Sequence, residues 1–579
     1  MKHLLAGLAL TLATPAFATQ STDLKAVLDA HWSWVLDNSP VWASSLGDHR
    51  GDGKLDDNSL AAADKQAVEA KAFIARLDAI PDTGLDGTER TNKAILRRLL
   101  DEQVQGSRFG ERMMLFTTYA GWHQNFAGLA DNSPLNSAGD YESYLKRLAA
   151  YPTYNAEALK ITRAAVAGGF VQPCAVLNGF EGSITGVIAA DVEKSRFYQP
   201  FLGNAPTSMS AADWAAMKVR AKALIRDVVE PEYRRFADYY TRDYKPKCRT
   251  TVGAAALPQG PDFYALQVRV HTTTSLTPDQ IHEIGLGEVK RIRAEMDEVA
   301  KKAGYADRAT FIAKLRTDPV YYAKTPNELM AASALQAKTI DGMLPKYFGR
   351  LPRLPYGIKA IPAETAEGTT TAYYMPGSPK VGIAGNYYVN TSKLPQRPLW
   401  EQPALTAHEA VPGHHLQIAL QQELDLPEVR KNAAGFTAFV EGWALYSEHL
   451  GIEMGLYDTP EKNMGRLSYE MWRASRLVVD TGLHAKGWTK AQAIAFMHEN
   501  TALTDANIEA EVNRYISWPG QALGYKIGEL KIRELRARAE KALGPKFSLS
   551  GFHDTVLAGG AVPLDVLERT VDDWIASRR

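Results

Sequence analysis

The sequence predicts a mainly α-helical protein with one small β-sheet set beside the helices that carry its chemistry. Three observations predict it. Apolar residues recur at helical spacing through most of the 579 residues. One stretch, 351–403, is instead rich in Pro, Gly, Thr and Tyr. Helical spacing then resumes at about Leu405 and runs almost to the end.

The chain opens MKHLLAGLALTLATPAFATQ. Lys2 and His3 precede an apolar run at 4–13, and Ala16-Phe17-Ala18 forms a small-x-small cleavage site. This pattern predicts a signal peptide over 1–18 and a periplasmic or secreted location. No cysteine stands at the cleavage point, which argues against a lipid anchor. No later run reaches the roughly 18 apolar residues of a membrane span. An N-terminal helical region, 19–350, follows, with helices expected at 24–35, 61–77, 89–104, 141–167, 211–240, 278–303 and 326–347.

The catalytic region is expected at 351–579. Ala372-Tyr373-Tyr374-Met375 and Asn386-Tyr387-Tyr388-Val389-Asn390 have the aromatic and β-branched content of strands. Gly377, Pro379, Gly382 and Gly385 punctuate them as turns. Beyond 405, helices are expected at 437–451, 462–485, 490–500, 505–516, 526–542 and 564–576. Thr489 with Gln492 three residues on fits a capping box.

Lys+Arg and Asp+Glu both number 66. A balanced charge argues against a nucleic-acid partner, which needs a basic excess to replace phosphate counterions. Only Cys174 and Cys248 are present, so at most one disulfide is available and a cysteine-based zinc site is excluded.

The richest segment is Leu405-Thr406-Ala407-His408-Glu409-Ala410-Val411-Pro412-Gly413-His414-His415-Leu416-Gln417. Imidazoles are common zinc ligands, and a carboxylate beside a metal can take a proton from water. In HExxH two histidines four apart share one helix face. Here the fourth position after His408 is Pro412. On a regular helix His414 falls about 120° off the His408 face and His415 only about 20° off. Proline breaks that regularity and Gly413 tolerates unusual torsions. A two-residue bulge at Val411-Pro412 would return His414 to the ligand position. We prefer His408 and His414 as ligands, with His415 the alternative and otherwise a substrate contact.

A third ligand leaves one position for water. Glu441, in Phe439-Val440-Glu441-Gly442-Trp443-Ala444-Leu445-Tyr446-Ser447-Glu448, is the candidate, 27 residues after His414. Glu448, two turns on, is a fallback ligand or a partner for an imidazole N–H. Two other pairs, His282-Glu283 and His498-Glu499, have no second histidine nearby and read as ordinary helix-surface or capping pairs.

HEAVPGHHLQ together with EGWALYSE resembles the bacterial domain of unknown function 885 family, itself similar to the thimet-oligopeptidase and angiotensin-converting-enzyme branch of zincin peptidases. EGWALY also resembles the EGFA-type third-ligand segment of zincin aminopeptidases. His271-Thr272-Thr273-Thr274, Gly385-Asn386-Tyr387-Tyr388, Arg476-Leu477-Val478-Val479-Asp480-Thr481-Gly482-Leu483-His484 and Trp518-Pro519-Gly520-Gln521-Ala522-Leu523-Gly524-Tyr525-Lys526 extend the likeness over nearly the whole mature chain. The resemblance implies a zincin-like helical fold with a deep cleft that admits short peptides. It also implies a tyrosine, after the third ligand, that donates to the oxyanion. Tyr525 is favoured for this over Tyr515.

The expected function is zinc-dependent hydrolysis of short peptides in the periplasm, with one Zn²⁺ and Glu409 as general base. Ligand type does not separate Zn²⁺ from Mn²⁺ or Co²⁺. His484 and Tyr388 are candidate substrate contacts, the latter on a strand that could take an extended peptide by strand addition. Arg473 and Arg476 are candidates for binding a carboxylate or balancing the acids. The same site would serve an esterase or amidase. An inactive periplasmic binding protein is the third reading.

Overall fold

The computed structural model describes residues 15–579 apart from 119, 363–365, 367–369 and 379–382. Residues 1–14 of the expected signal peptide, and Pro379 and Gly382 of the expected turns, lie outside the described residues.

The chain is mainly helical with one three-stranded sheet. Helices stand where apolar spacing placed them, among them Pro15–Asn38, Leu60–Asp78, Gly87–Gly106, Ala138–Ala167 and Pro278–Lys302. The stretch expected as one helix at 211–240 is Ala211–Leu224, a π-turn at Ile225–Val229 and Glu230–Tyr239. Pro231 has no N–H for the regular ladder, and the wider turn precedes it. Helices Gly260–Thr272, Arg308–Thr317 and Leu549–Leu557 had not been expected. The capping box of Thr489 and Gln492 is formed.

Strands β1 (Tyr356–Ala360), β2 (Ala372–Met375) and β3 (Gly385–Val389) lie in the order β1-β3-β2. β3 pairs parallel with β1 and antiparallel with β2. β1 was not foreseen. On one face, Tyr374 and Tyr387 are buried against the helices that follow, and β2 packs on Gln402–Glu409. Alternation sends Tyr373 and Tyr388 to the other face, where their rings stack 5.0 Å apart.

One core joins helices from both halves of the chain. Ile95, Tyr264, Val268 and Ile340 pack in it with Phe439, Trp443, Ile527 and Phe552. A second, strongly aromatic core fills 116–244, where Phe126 and Tyr151 stack at 3.9 Å. Cys174 and Cys248 form a disulfide that ties the middle of this part to the segment just after it. Among the described residues no helix is long and apolar enough to cross a membrane.

Candidate metal centre

The helix Gln402–Glu409 ends one residue after His408, and a new helix, His414–Glu423, begins at His414. The Val411–Pro412 peptide between them is cis. This corrects the expected bulge inside one helix: the helix stops and restarts. Pro412 has no N–H to continue the ladder. A Cβ on Gly413 would lie 1.9 Å from the His408 carbonyl oxygen and 2.5 Å from that of Ala407. Only glycine lets the chain fold back so closely over the helix end. The fold-back brings the His408 and His414 rings to 4.8 Å at 88°.

The break is braced from the next segment. Trp443 donates its indole N–H to the Pro412 carbonyl at 2.8 Å. Trp443 sits in helix Thr437–Leu450, two residues after Glu441. Gly442 lets that helix cross Gly524–Leu543 tightly: a Cβ there would lie 2.6 Å from Gly528 backbone atoms. The EGW motif thus supplies the candidate ligand, the helix crossing and the brace in turn.

Ligand atoms of His408, His414 and Glu441 all lie within 4.8 Å of one another. His408 Nε2 is 3.5 Å and His414 Nε2 3.4 Å from Glu441 Oε2. Tetrahedral Zn²⁺ with bonds of about 2.0–2.1 Å sets neighbouring ligand atoms about 3.3–3.4 Å apart. Glu441 Oε2 is buried and has no hydrogen-bond partner among the described residues. A buried carboxylate oxygen in that position is costly unless a cation faces it. Donor types, spacing and the unpartnered oxygen all fit a zinc ion. The site keeps an opening, since the His414 and Glu441 side chains stay 12% and 19% exposed.

Behind the cluster, Glu448 Oε1 accepts from His408 Nδ1 at 2.8 Å and pairs with Arg473 Nη2 at 3.2 Å. This fixes the tautomer that turns Nε2 inward. Burial opposes a charged His408, yet its contacts with Glu441 and Glu448 carry it up to about 9. Burial would raise the Glu441 carboxyl, but the charge of His414 and the contacts of both imidazoles hold it well below the usual range.

Glu409 follows His408 directly, is 9% exposed, and has no hydrogen bond or ion pair among the described residues. Tyr525 stacks on His408 with centroids 6.4 Å apart and an interplanar angle of 11°. Its hydroxyl accepts from Arg514 Nη2 at 3.2 Å. Tyr515 is committed elsewhere, accepting from Trp472 Nε1 and Arg476 Nε. Arg473 balances Glu448, and Arg476 pairs with Glu511.

The three expected substrate contacts are engaged within the fold. His415 points about 100° from His414 along the helix. It is buried beneath the sheet, bonded to Tyr374 at 2.9 Å and packed on Tyr356. His484 is fully buried, accepting Ala254 N–H at Nδ1 and donating from Nε2 to the Tyr515 carbonyl, both at 2.9 Å. Tyr388 lies on the face turned from helix Gln402–Glu409, and its strand is central, so both edges are already paired. His282, expected on a helix surface or at a cap, is also buried and bonded to Thr481. Trp443 and Arg514 were missed. A satisfied indole N–H inside the EGW motif could have flagged the first, whereas no sequence signal marks the second.

Two cavities, of about 900 and 480 Å³, are lined by 55–59 with 150–160 and by 145–149 with 220–228, and neither includes a cluster residue.

Residues 40–571 match the family described as bacterial protein of unknown function, DUF885. The chain belongs to this family. The structure is similar to the crystal structure of a "putative lipoprotein" from Colwellia psychrerythraea, at 28% identity and TM-score 0.89, covering 97% of this chain and 100% of that one. A second such protein, from Shewanella oneidensis and of unknown function, matches at 20% identity and TM-score 0.70, covering 96% and 99%. The second likeness concerns the fold alone. No curated protein matches the chain significantly. The match spans both the His408–His414–Glu441 cluster and the helices packed behind it.

Proposed function

We propose that this DUF885 protein is an extracytoplasmic zinc-dependent peptidase of zincin-like construction, acting on short peptides. The observation that carries the reading is the buried Glu441 oxygen, without a hydrogen-bond partner, set 3.4–3.5 Å from two imidazole nitrogens. The lipoprotein description of the Colwellia psychrerythraea structure supports a place outside the cytoplasm.

When bound, the ion supplies Lewis-acid polarisation and lowers the pKa of a water molecule towards about 7. His408, His414 and Glu441 would hold it, and Glu448 keeps the His408 ring oriented. Glu409, without a hydrogen bond or ion pair among the described residues, takes the proton from water and passes it to the leaving amine. Tyr525 donates its hydroxyl hydrogen to the developing oxyanion. Its oxygen already accepts from Arg514, which leaves that hydrogen free to turn toward substrate. β3 is closed to strand addition, but among the described residues no strand pairs with the outer edge of β2, which packs on the metal helix. An extended peptide aligned there would run beside the cluster.

Glu409→Gln is expected to retain zinc while turnover on short peptides falls about 10²–10⁴-fold. Full activity in that variant would remove Glu409 from the mechanism. Running simple esters beside the peptides separates peptidase from esterase chemistry, and purified wild type that holds no zinc sinks the reading altogether.

A further inference from the structure

The sequence Arg476-Leu477-Val478-Val479-Asp480-Thr481-Gly482-Leu483-His484 lies in the long helix Pro460–Ala485. Arg476, Asp480 and His484 are four residues apart, so each step turns only about 40° and the three share one face. They are 2%, 0% and 0% exposed. Titratable groups at such depth are costly unless their bonds do something for the fold or the site.

All three grip one stretch, 511–525. Arg476 donates from Nε to the Tyr515 hydroxyl and from Nη2 to Glu511, both at 3.0 Å. Its guanidinium also lies 4.2 Å from the Tyr525 ring centre. Asp480 accepts the Gly520 N–H at 3.1 and 3.2 Å, one distance to each oxygen. His484 donates to the Tyr515 carbonyl at 2.9 Å. Each of the latter two is also held from behind: Tyr264 donates to Asp480 at 2.6 Å, and Ala254 N–H to His484 at 2.9 Å.

The gripped stretch is the corner between helices Asp505–Ser517 and Gly524–Leu543. It delivers Tyr525, whose ring lies parallel to that of His408. We propose that Arg476, Asp480 and His484 are positioning residues that set the Tyr525 hydroxyl against the His408–His414–Glu441 cluster. The proposal rests on the peptidase reading. An oxyanion donor works only in the transition state, so loosening the corner lowers kcat and leaves KM and zinc binding alone.

The test uses the zinc-loaded full chain. Asp480→Ala is expected to keep one zinc per chain, lower kcat about 100-fold and change KM less than about threefold. Hydrogen exchange should quicken at 515–525 and not at 402–423. Asp480→Asn, whose side-chain oxygen can still accept from Gly520 and Tyr264, should recover most of kcat. His484→Gln, a milder change, should show the same pattern if the alanine variant does not fold. Unchanged kcat with unchanged exchange overturns the clamp, and so does a loss of zinc in the asparagine or glutamine variant. Wild type without metal-dependent hydrolysis sinks the peptidase reading instead, and the exchange data then decide the clamp by themselves.

Discussion

His408 is fixed at both nitrogens, by Glu448 on Nδ1 and by the cluster on Nε2. Glu448 is 1% exposed and its charge is matched by Arg473. A neutral isostere keeps the shape but weakens the pull on the Nδ1 proton, which makes Nε2 a poorer ligand. Glu448→Gln is therefore expected to weaken zinc binding about 10–100-fold, read by competition against a chelator. Unaltered affinity would make Glu448 a packing residue only. At this scale the cluster residues were legible because imidazole and carboxylate stood at short spacing in otherwise apolar helices. His415, His484 and Tyr388 were not. A histidine's place in the sequence does not tell whether Tyr374 or a backbone carbonyl already occupies its ring nitrogens.

Between helices Gln402–Glu409 and His414–Glu423, four residues decide whether two imidazoles meet. Sequence spacing showed that a regular helix fails there, and Pro412 showed where. It did not show whether the chain would bulge or break, because that depends on the Gly413 approach to the His408 carbonyl and on Trp443 reaching Pro412. Gly413→Ala places a methyl where backbone oxygens stand, so the second helix must shift. That variant is expected to stay helical by circular dichroism and to lose zinc by elemental analysis. Retained zinc would mean that the break is adjustable. β2 and β3 were legible from their aromatic content. β1 was not, since Tyr356-Gly357-Ile358-Lys359-Ala360 gains its place from parallel pairing with a strand 29 residues further along.

Across the whole molecule, charge balance hides a strong bias in how protons are held. Among the described residues burial lowers eight histidines, His123 and His449 to about 3, His31, His271, His415, His484 and His553 to about 4, and His282 below its usual value. Their unfolded value is about 6.5. Each therefore contributes stability that is complete above about 6.5 and is lost as pH falls towards 4. Burial also raises five carboxyls among the described residues, Glu401 to about 8, Asp480 and Glu111 to about 7, and Asp56 and Glu102 above their usual values. These act oppositely and regain stability on acidification. The histidines outnumber them, and carboxylates held low, such as Glu470 beside Lys526, add to the loss at the acid end. The melting temperature of chelator-treated protein should accordingly fall by about 5 °C or more between pH 6.5 and 4.5. Chelation matters, because loss of zinc at low pH would otherwise imitate the effect. A melting temperature that holds or rises across that window would mean the raised carboxyls dominate. In that case Asp480→Asn, by removing one of them, should flatten the profile.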